Sequence, residues 1–533
     1  MRALNVLLAL LVSFLIAALV FEGGLRLLGM GPQTRINRFD PDFGWSKTPD
    51  SSARRSTREF DVTYAINGLG LRDDPMKDPG KPAGTFRVLF LGDSFVLGYT
   101  VNREDLFVDV LETWWKREGR PVDCVNAGTE GWSTDQEVLW YQKHGRDFTP
   151  DVVVLCPYEN DLYWNGQAAY LRFPKPRIEP DGSKEKRLLA DPGPEPALKR
   201  LAIGNLLLRD APPDWSPDGK LRVLAEWSAY FHATPDVMVD AYARTKGALL
   251  ALKSEVENRG ARLVVAPIPN KACVQDDARS ALEETIARTG LVARLRRSIV
   301  GGEAPAALAP DRWSTDEPVD RVLSMCKDLA IESVDARPAL RAAAAQGEEL
   351  YYRSDWHFNP AGNRAFARFL HDELDRLGAF PVGLAAKTPE ELPPEAPAPF
   401  LRTWMIVFGA LWLGLSVVYR LTYPKDALWK GPAICGGMLA LIFAIALGGG
   451  ALLGHLSPAL GQMLGIVFVA VVVSFLLIKL GKRLGTVFEL LWCFTRRGHW
   501  YLMPLVVVLL TVGSLLVVAA SSPLVAPFIY TLF

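Results

Sequence analysis

Phe86-Arg87-Val88-Leu89-Phe90-Leu91-Gly92-Asp93-Ser94-Phe95 is the stretch whose reading decides the fold. Phe86 to Leu91 is an apolar run of strand length, Gly92-Asp93-Ser94 is a turn, and Asp105 to Arg117 follows with Leu106, Val110, Leu111 and Trp114 at helical spacing. Outward from it the same alternation recurs. Val122 to Val125, Asp151 to Pro157 and Arg262 to Pro267 read as further strands, and Ile331 to Val334 as a weaker fifth. The helix expected over Val237 to Glu257 lies just before the fourth. Apolar runs separated by helices predict an α/β fold, a parallel sheet with helices on both faces.

In such a sheet the loops at the carboxyl ends of the strands converge on one rim, where ligands are placed. Three short islands directly follow expected strands: Gly92-Asp93-Ser94-Phe95, Asn126-Ala127-Gly128 and Glu159-Asn160-Asp161. The fourth, Asp355-Trp356-His357, opens the last expected helix, with Asn359 as N-cap, Pro360 in the first turn, and Phe366, Phe369, Leu370, Leu374 and Leu377 on its buried face.

The islands supply the parts that acyl transfer needs. A serine hydroxyl requires a base to take its proton, and a base requires a carboxylate to hold its tautomer. Among His144, His232, His357 and His371, the last lies inside the final helix, and the first two lack a closely placed carboxylate on a rim loop. His357 is therefore the candidate base, Asp355 its orienter and Ser94 the candidate nucleophile. Gly128 offers an unshielded backbone N–H, Asn160 a side-chain amide, and Ser94 its own N–H, to a developing oxyanion. Each island also has a purely structural reading: Ser94 suits a helix cap, and Asn126 and Asn160 suit turns that bond their own backbone.

Taken together, these four islands resemble the blocks of the SGNH, or GDSL-type, serine hydrolase family: Gly92-Asp93-Ser94-Phe95 with Gly98 and Val101, then Gly128, then Asn160-Asp161, then Asp355 with His357. The resemblance covers roughly residues 40 to 378. It implies the flavodoxin-like sheet of that family, Ser94 as nucleophile, Gly128 and Asn160 as oxyanion donors, and His357 with Asp355 as base and orienter. Many members space the last pair as Asp-x-x-His, whereas this chain has Asp-x-His. The chemistry requires no metal and no organic cofactor.

At 533 residues the chain is long enough for more than that domain. Apolar runs at Leu4 to Val20, Trp404 to Val418, Ala433 to Leu453, Met463 to Ile478 and Leu502 to Ala520 read as five membrane spans. The first is also short enough for a cleaved leader, but Phe21-Glu22-Gly23-Gly24-Leu25-Arg26 is a poor cleavage site, which favours an anchor. Arg420, Lys425 and Lys430 fill one later loop and Lys479, Lys482, Arg483, Arg496 and Arg497 another, whereas Gly454 to Gln462 has no lysine or arginine. Basic loops stay in the cytoplasm, so residues 22 to 403 are expected on the outer side of a bacterial inner membrane, in the periplasm.

The expected organisation is an anchor over 1–21, the hydrolase-like domain over 40–378, a proline-rich tether over 379–400 and a four-span membrane domain over 401–533. Gly481 to Phe533 resembles a small membrane domain of unknown function found with bacterial exopolysaccharide and carbamoyltransferase gene sets. Phe173 to Ser228 is polar and dotted with proline; a groove-shaping insertion and a passive surface excursion fit it equally. A net charge of +0 without a basic block argues against a nucleic-acid partner.

None of the six cysteines forms a Cys-x-x-Cys pair, so zinc and thioredoxin-type chemistry have little support. Cys124 and Cys156 lie in strand-like runs and read as buried thiols, and a disulfide among Cys124, Cys156, Cys273 and Cys326 is compatible with an oxidising compartment. The expected activity is an exported, membrane-anchored serine esterase acting on O-acyl groups of envelope glycans, with membrane-protein partners at the C-terminal spans. The alternatives are an O-acyltransferase fed by a membrane partner and a non-catalytic glycan-binding or assembly subunit.

Overall fold

The computed structural model describes residues 36–57, 59–207, 214–215, 223–276 and 311–381, with scattered positions at 18, 22, 278–279, 282, 309 and between 409 and 437. Apart from a few of those positions, the five apolar runs lie outside the described residues, as do the tether from residue 382 on and the C-terminal domain. Among the described residues no helix is long and apolar enough to cross a membrane.

Five strands form one parallel sheet: β1 (Phe86–Gly92), β2 (Val122–Asn126), β3 (Val152–Cys156), β4 (Arg262–Val265) and β5 (Glu332–Ser333). Their order across the sheet is β5-β4-β3-β1-β2. This is the flavodoxin-like order, whose switch point lies between β1 and β3. All five expected strands are present; β1 and β2 run one residue further than expected, and β3, β4 and β5 are each two residues shorter.

Alternating side chains of the strands feed two apolar layers. Leu89, Leu91, Val125, Val153, Leu155, Leu263 and Val265 share a core with α2 (Thr134–Lys143) and α3 (Asp236–Glu257). On the other face Phe90 meets Phe107 edge-on at 5.8 Å, and Phe107 meets Phe366 at 5.1 Å. Those two residues belong to α1 (Phe107–Arg117) and α6 (Pro360–Arg376), so helices cover both faces. Leu89, Phe90 and Leu91 are fully buried, and each such side chain contributes roughly 1.5–3 kcal/mol to folding. α1 starts at Phe107 and not at Asp105, because Arg103–Asp105 winds into a 3₁₀ turn and Leu106 is extended between the two.

α6 begins as its sequence dictates. The Asn359 side chain accepts from Gly362 N at 2.9 Å, and Pro360 occupies the first turn. Such a cap contributes about 1 kcal/mol. The helix is then tied to α1 and its flanks. Asn363 Oδ1 accepts from Phe107 N at 3.2 Å, Arg364 pairs with Asp105 at 3.2 Å, and both Arg120 Nη groups donate to Asp375. Beyond it Phe380 packs on Phe86 and Trp115, with ring centroids 5.1 and 5.0 Å apart, and Asn37–Asp40 pairs with Gly44–Lys47. The packed domain therefore slightly exceeds 40–378 at both ends. Two further helices complete the order: α4 (Glu317–Asp328) between β4 and β5, and α5 (Arg337–Ala345) between β5 and α6. Cys124, Cys156, Cys273 and Cys326 are buried free thiols.

Candidate active site

Where β1 ends, three residues turn the chain into the single helical turn Ser94–Leu97. Gly92 is required there because a Cβ would collide with the Val96 side chain. Asp93 caps the turn, its Oδ1 accepting from Phe95 N at 2.9 Å, and Gly98 closes it in the left-handed region at φ 74°. The geometry leaves Ser94 only 9% exposed at the rim, the first residue of a helical turn whose N–H has no intrahelical acceptor.

The Ser94 Oγ lies 2.7 Å from His357 Nε2. On the other side of the ring, His357 Nδ1 lies 2.6 Å from Asp355 Oδ1. The same Oδ1 accepts from the His357 backbone N–H at 3.0 Å. That bond is an Asx-turn, and it explains how residues two apart meet on one side of the loop. Asp355 is 1% exposed. Burial pushes its carboxyl up, but the imidazole charge, the two bonds from His357 and the nearby Arg55 outweigh it, and the group stays below the ordinary carboxylate range. An ionised Asp355 fixes the proton on Nδ1 and leaves the Nε2 lone pair facing the serine hydroxyl.

Packing holds the imidazole in this pose. Its ring lies against Phe95, 4.6 Å between centroids, and against Tyr99 at 5.4 Å. The serine and histidine loops are joined by Thr100 Oγ1, which donates to Phe358 O at 2.9 Å, and by Tyr352 OH, which donates to Thr100 O at 3.0 Å. Phe95 belongs to the first island, whereas no local signal in the sequence points to Tyr99 or Thr100.

Gly128 follows β2 and sits against the serine turn, where a Cβ would collide with the Val96–Leu97 backbone. Its N–H donates to Asn126 Oδ1 at 2.9 Å, so as an oxyanion donor it would have to share that proton. Asn126 takes the turn role and more: its Nδ2 donates to Val96 O at 2.8 Å, fastening the second island to the first. Asn160 follows β3, and its side-chain oxygen is buried and accepts no hydrogen bond from the described residues. The neighbouring Tyr158 ring lies 4.6 Å from that of Phe95, which brings the third island beside the first.

Glu159 anchors this third island. Tyr230 OH donates to it at 2.6 Å, and Asn270 Nδ2 donates to the same carboxylate. Burial raises its pKa to about 8, against the pull of those two donors. Tyr230 comes from the Phe173–Ser228 region's C-terminal flank, and Trp164 Nε1 donates to Glu226 from inside that region at 3.1 Å. The excursion is thus bonded to the rim at its end. Beneath the rim lie further buried acids. Burial raises Asp93 to about 6 and holds Asp161 and Glu137 well above the ordinary range. Burial also raises Asp135 to about 6, against the pull of the buried Lys175, which donates to it.

His371 and His232 do have carboxylate partners, contrary to what their sequence neighbours indicate for His232: His371 Nε2 lies 2.9 Å from Glu118, and His232 Nδ1 lies 2.7 Å from Glu317. No group of three or more potential metal ligands occurs among the described residues.

Residues 302–396, which contain Asp355 and His357, match the family model described as SGNH hydrolase-like domain, acetyltransferase AlgX. Residues 484–533 match a family of unknown function, DUF5989. Both resemblances read from the sequence are thereby matched. No curated protein matches the chain. Solved structures similar to it include a catalytic mutant of an acetylxylan esterase from Geobacillus stearothermophilus, at 12% identity and a TM-score of 0.29, covering 54% of this chain and 94% of that one. A GDSL-like lipase from Bacteroides thetaiotaomicron aligns at 11% identity and a TM-score of 0.26, covering 55% and 88%. The psychrotrophic esterase of a Pseudoalteromonas species aligns at 9% and 0.26, covering 55% and 97%.

Proposed function

We propose that this chain is a membrane-anchored SGNH-type enzyme that handles O-acyl groups on cell-envelope glycans, with Ser94 as nucleophile, His357 as general base and Asp355 as its orienter. The observation that carries this is the unbroken hydrogen-bonded chain from Ser94 Oγ through both imidazole nitrogens to a buried carboxylate, 2.7 and 2.6 Å.

In the reaction so read, Ser94 Oγ attacks the ester carbonyl carbon while His357 Nε2 takes the hydroxyl proton. The carbonyl oxygen becomes an oxyanion that receives hydrogen bonds from the Asn160 amide and the Ser94 N–H, with Gly128 N–H as the further donor named by the family pattern. Collapse breaks the bond to the alcohol, which leaves with the proton from His357, and an acyl-serine remains. Water, deprotonated by His357, then releases the acid and restores the serine.

Transfer is the second reading, favoured by the match of residues 302–396 to an acetyltransferase model. A sugar hydroxyl then replaces water in the second half-reaction, and every residue keeps its role. The five apolar runs and their basic loops support placing the site on the periplasmic side of the inner membrane, with the C-terminal spans available to membrane partners. The test is labelling of the full chain by a fluorophosphonate together with turnover of an acetyl ester. Labelling at Ser94 and a fall in turnover of at least about 10³-fold in Ser94→Ala are expected. Equal turnover in that variant removes Ser94 from the chemistry, and absence of labelling favours a non-catalytic subunit. With a glycan acceptor present, acyl-glycan in excess of free acid decides for transfer.

A further inference from the structure

We infer that Glu59, on the N-terminal hairpin, is a positioning residue for the Asp355–His357 pair; this role rests on the acyl-transfer reading above. The hairpin pairs Ser52–Ser56 with Asp61–Ala65, and Glu59 stands at its tip. Thr57 shapes that tip: its N–H donates to Phe60 O at 2.8 Å, and its Oγ1 accepts from the N–H groups of Glu59 and Phe60 at 3.1 Å. The carboxylate so presented takes the N–H of Ser354 on Oε1 at 2.8 Å and the N–H of Asp355 on Oε2 at 3.0 Å.

The same short loop is gripped from the other side. Lys271 Nζ, which is buried, donates to the carbonyls of Tyr352 and Arg353, both at 3.1 Å. A cation thus holds two consecutive carbonyls and an anion the next two amides. Between them the backbone of Asp355 is fixed before its side chain turns to His357. Bonds from backbone N–H to an ionised carboxylate are about twice as strong as neutral ones. Burial, helped by the Asp355 charge, raises the pKa of Glu59 above the ordinary value, against the pull of the two amides and Lys271.

The rest of the hairpin reinforces this contact. Phe60 packs on Tyr352 with ring centroids 5.2 Å apart, and the Arg55 guanidinium covers Tyr99 at 3.3 Å. Tyr99 is one of the rings that flank His357. Val62 and Tyr64 share an apolar cluster with Leu97 and Tyr99. Residues 295 and 296 positions away in sequence are therefore joined to Glu59, and no local pattern announces the partnership.

Glu59→Ala and Glu59→Gln, made in the full chain and assayed on an acetyl ester, test the inference. Losing both acceptors lets the Asp355 loop drift, and misplacement on the 1 Å scale costs about 10²-fold. We expect Glu59→Ala to lower kcat by about 10–100-fold with KM little changed, and Glu59→Gln, which keeps one acceptor oxygen, to lie between it and the parent. In an Asp355→Asn background the Ala substitution should cost no more than about twofold, because the group it acts through is already disabled. Equal losses in both backgrounds would mean a general structural role and overturn the inference, as would Glu59 variants as fast as the parent. Arg54→Ala, which removes an exposed ion pair with Asp61 on the same hairpin, should leave kcat unchanged, and a fall matching that of Glu59→Ala counts against the inference. If Glu59→Ala fails to fold, Glu59→Gln decides alone. A parent chain without Ser94-dependent turnover refutes the enzymatic reading itself, a result distinct from all of these.

Discussion

His357 and His371 stand 14 positions apart, both bonded to carboxylates, yet their surroundings differ. His371 uses both ring nitrogens on acids, Glu118 at 2.9 Å and Asp372 at 3.2 Å, and its ring stacks on Trp115 at 6.2 Å inside the core. His357 uses only Nδ1 in this way and turns Nε2 to a serine hydroxyl at the rim. His232 repeats the lesson with Glu317, half-exposed and bonded through Nδ1. A carboxylate partner orients an imidazole; what makes a base is a second nitrogen left for a proton that must move.

The largest effect that would break this contrast comes from exchanging the two. His357→Asn should reduce ester turnover by about 10³–10⁴-fold or more with little change in Tm, whereas His371→Asn should leave turnover near the parent value. The latter variant should instead lose about 1–3 kcal/mol of stability, read by denaturant unfolding, because the Glu118 oxygen that meets His371 is left buried without its hydrogen bond while the other keeps its ion pair with Arg120. Similar losses of turnover in both variants would erase the distinction. Next in size, Asn160→Ala should lower kcat by about 10²–10³-fold at similar KM, the signature of a donor used in the transition state. A change confined to KM would make Asn160 a ground-state contact.

The smallest effect sharpens the contrast between acids that stay charged and acids that do not. Asp355 is held below the ordinary range, whereas burial lifts Glu159 to about 8. A carboxyl whose folded pKa is raised binds more protons folded than unfolded. Its contribution is fully present below the unfolded value near 4.5 and is lost as pH rises through about 8. Thermal melts should therefore show Tm falling between pH 5 and pH 8, and Glu159→Gln, which cannot titrate, should flatten part of that slope. An unaltered slope would show that Glu159 does not titrate in this window.

Much of this arrangement could be read from the chain itself, for identifiable reasons. The strands were legible because a sheet buried on both faces writes continuous apolar runs such as Val152–Cys156. Asn359 and Pro360 announced the start of α6 because capping is a local matter between neighbours. The pairing of Ser94 with His357 was legible through rim convergence, which depends on topology and not on sequence distance. Contacts that depend on where a side chain happens to land were not legible. Nothing near Glu59 points to Ser354, nothing near Glu159 to Tyr230, and nothing near His232 to Glu317. Gly128 shows the limit in another form: its lack of a side chain was recognised, but its N–H was already given to Asn126, and the space it vacates is filled by the Val96–Leu97 backbone.

The 263 positions between Ser94 and His357 also carry a meaning in time. A growing chain makes its hydroxyl 263 residues before its imidazole, which stands in the loop that α6 and its ties to α1 lock in place. Until that closing helix docks, the serine has no partner to take its proton and is as inert as any surface alcohol. On the proposed mechanism, the order of synthesis withholds reactivity from any chain not yet extended through α6.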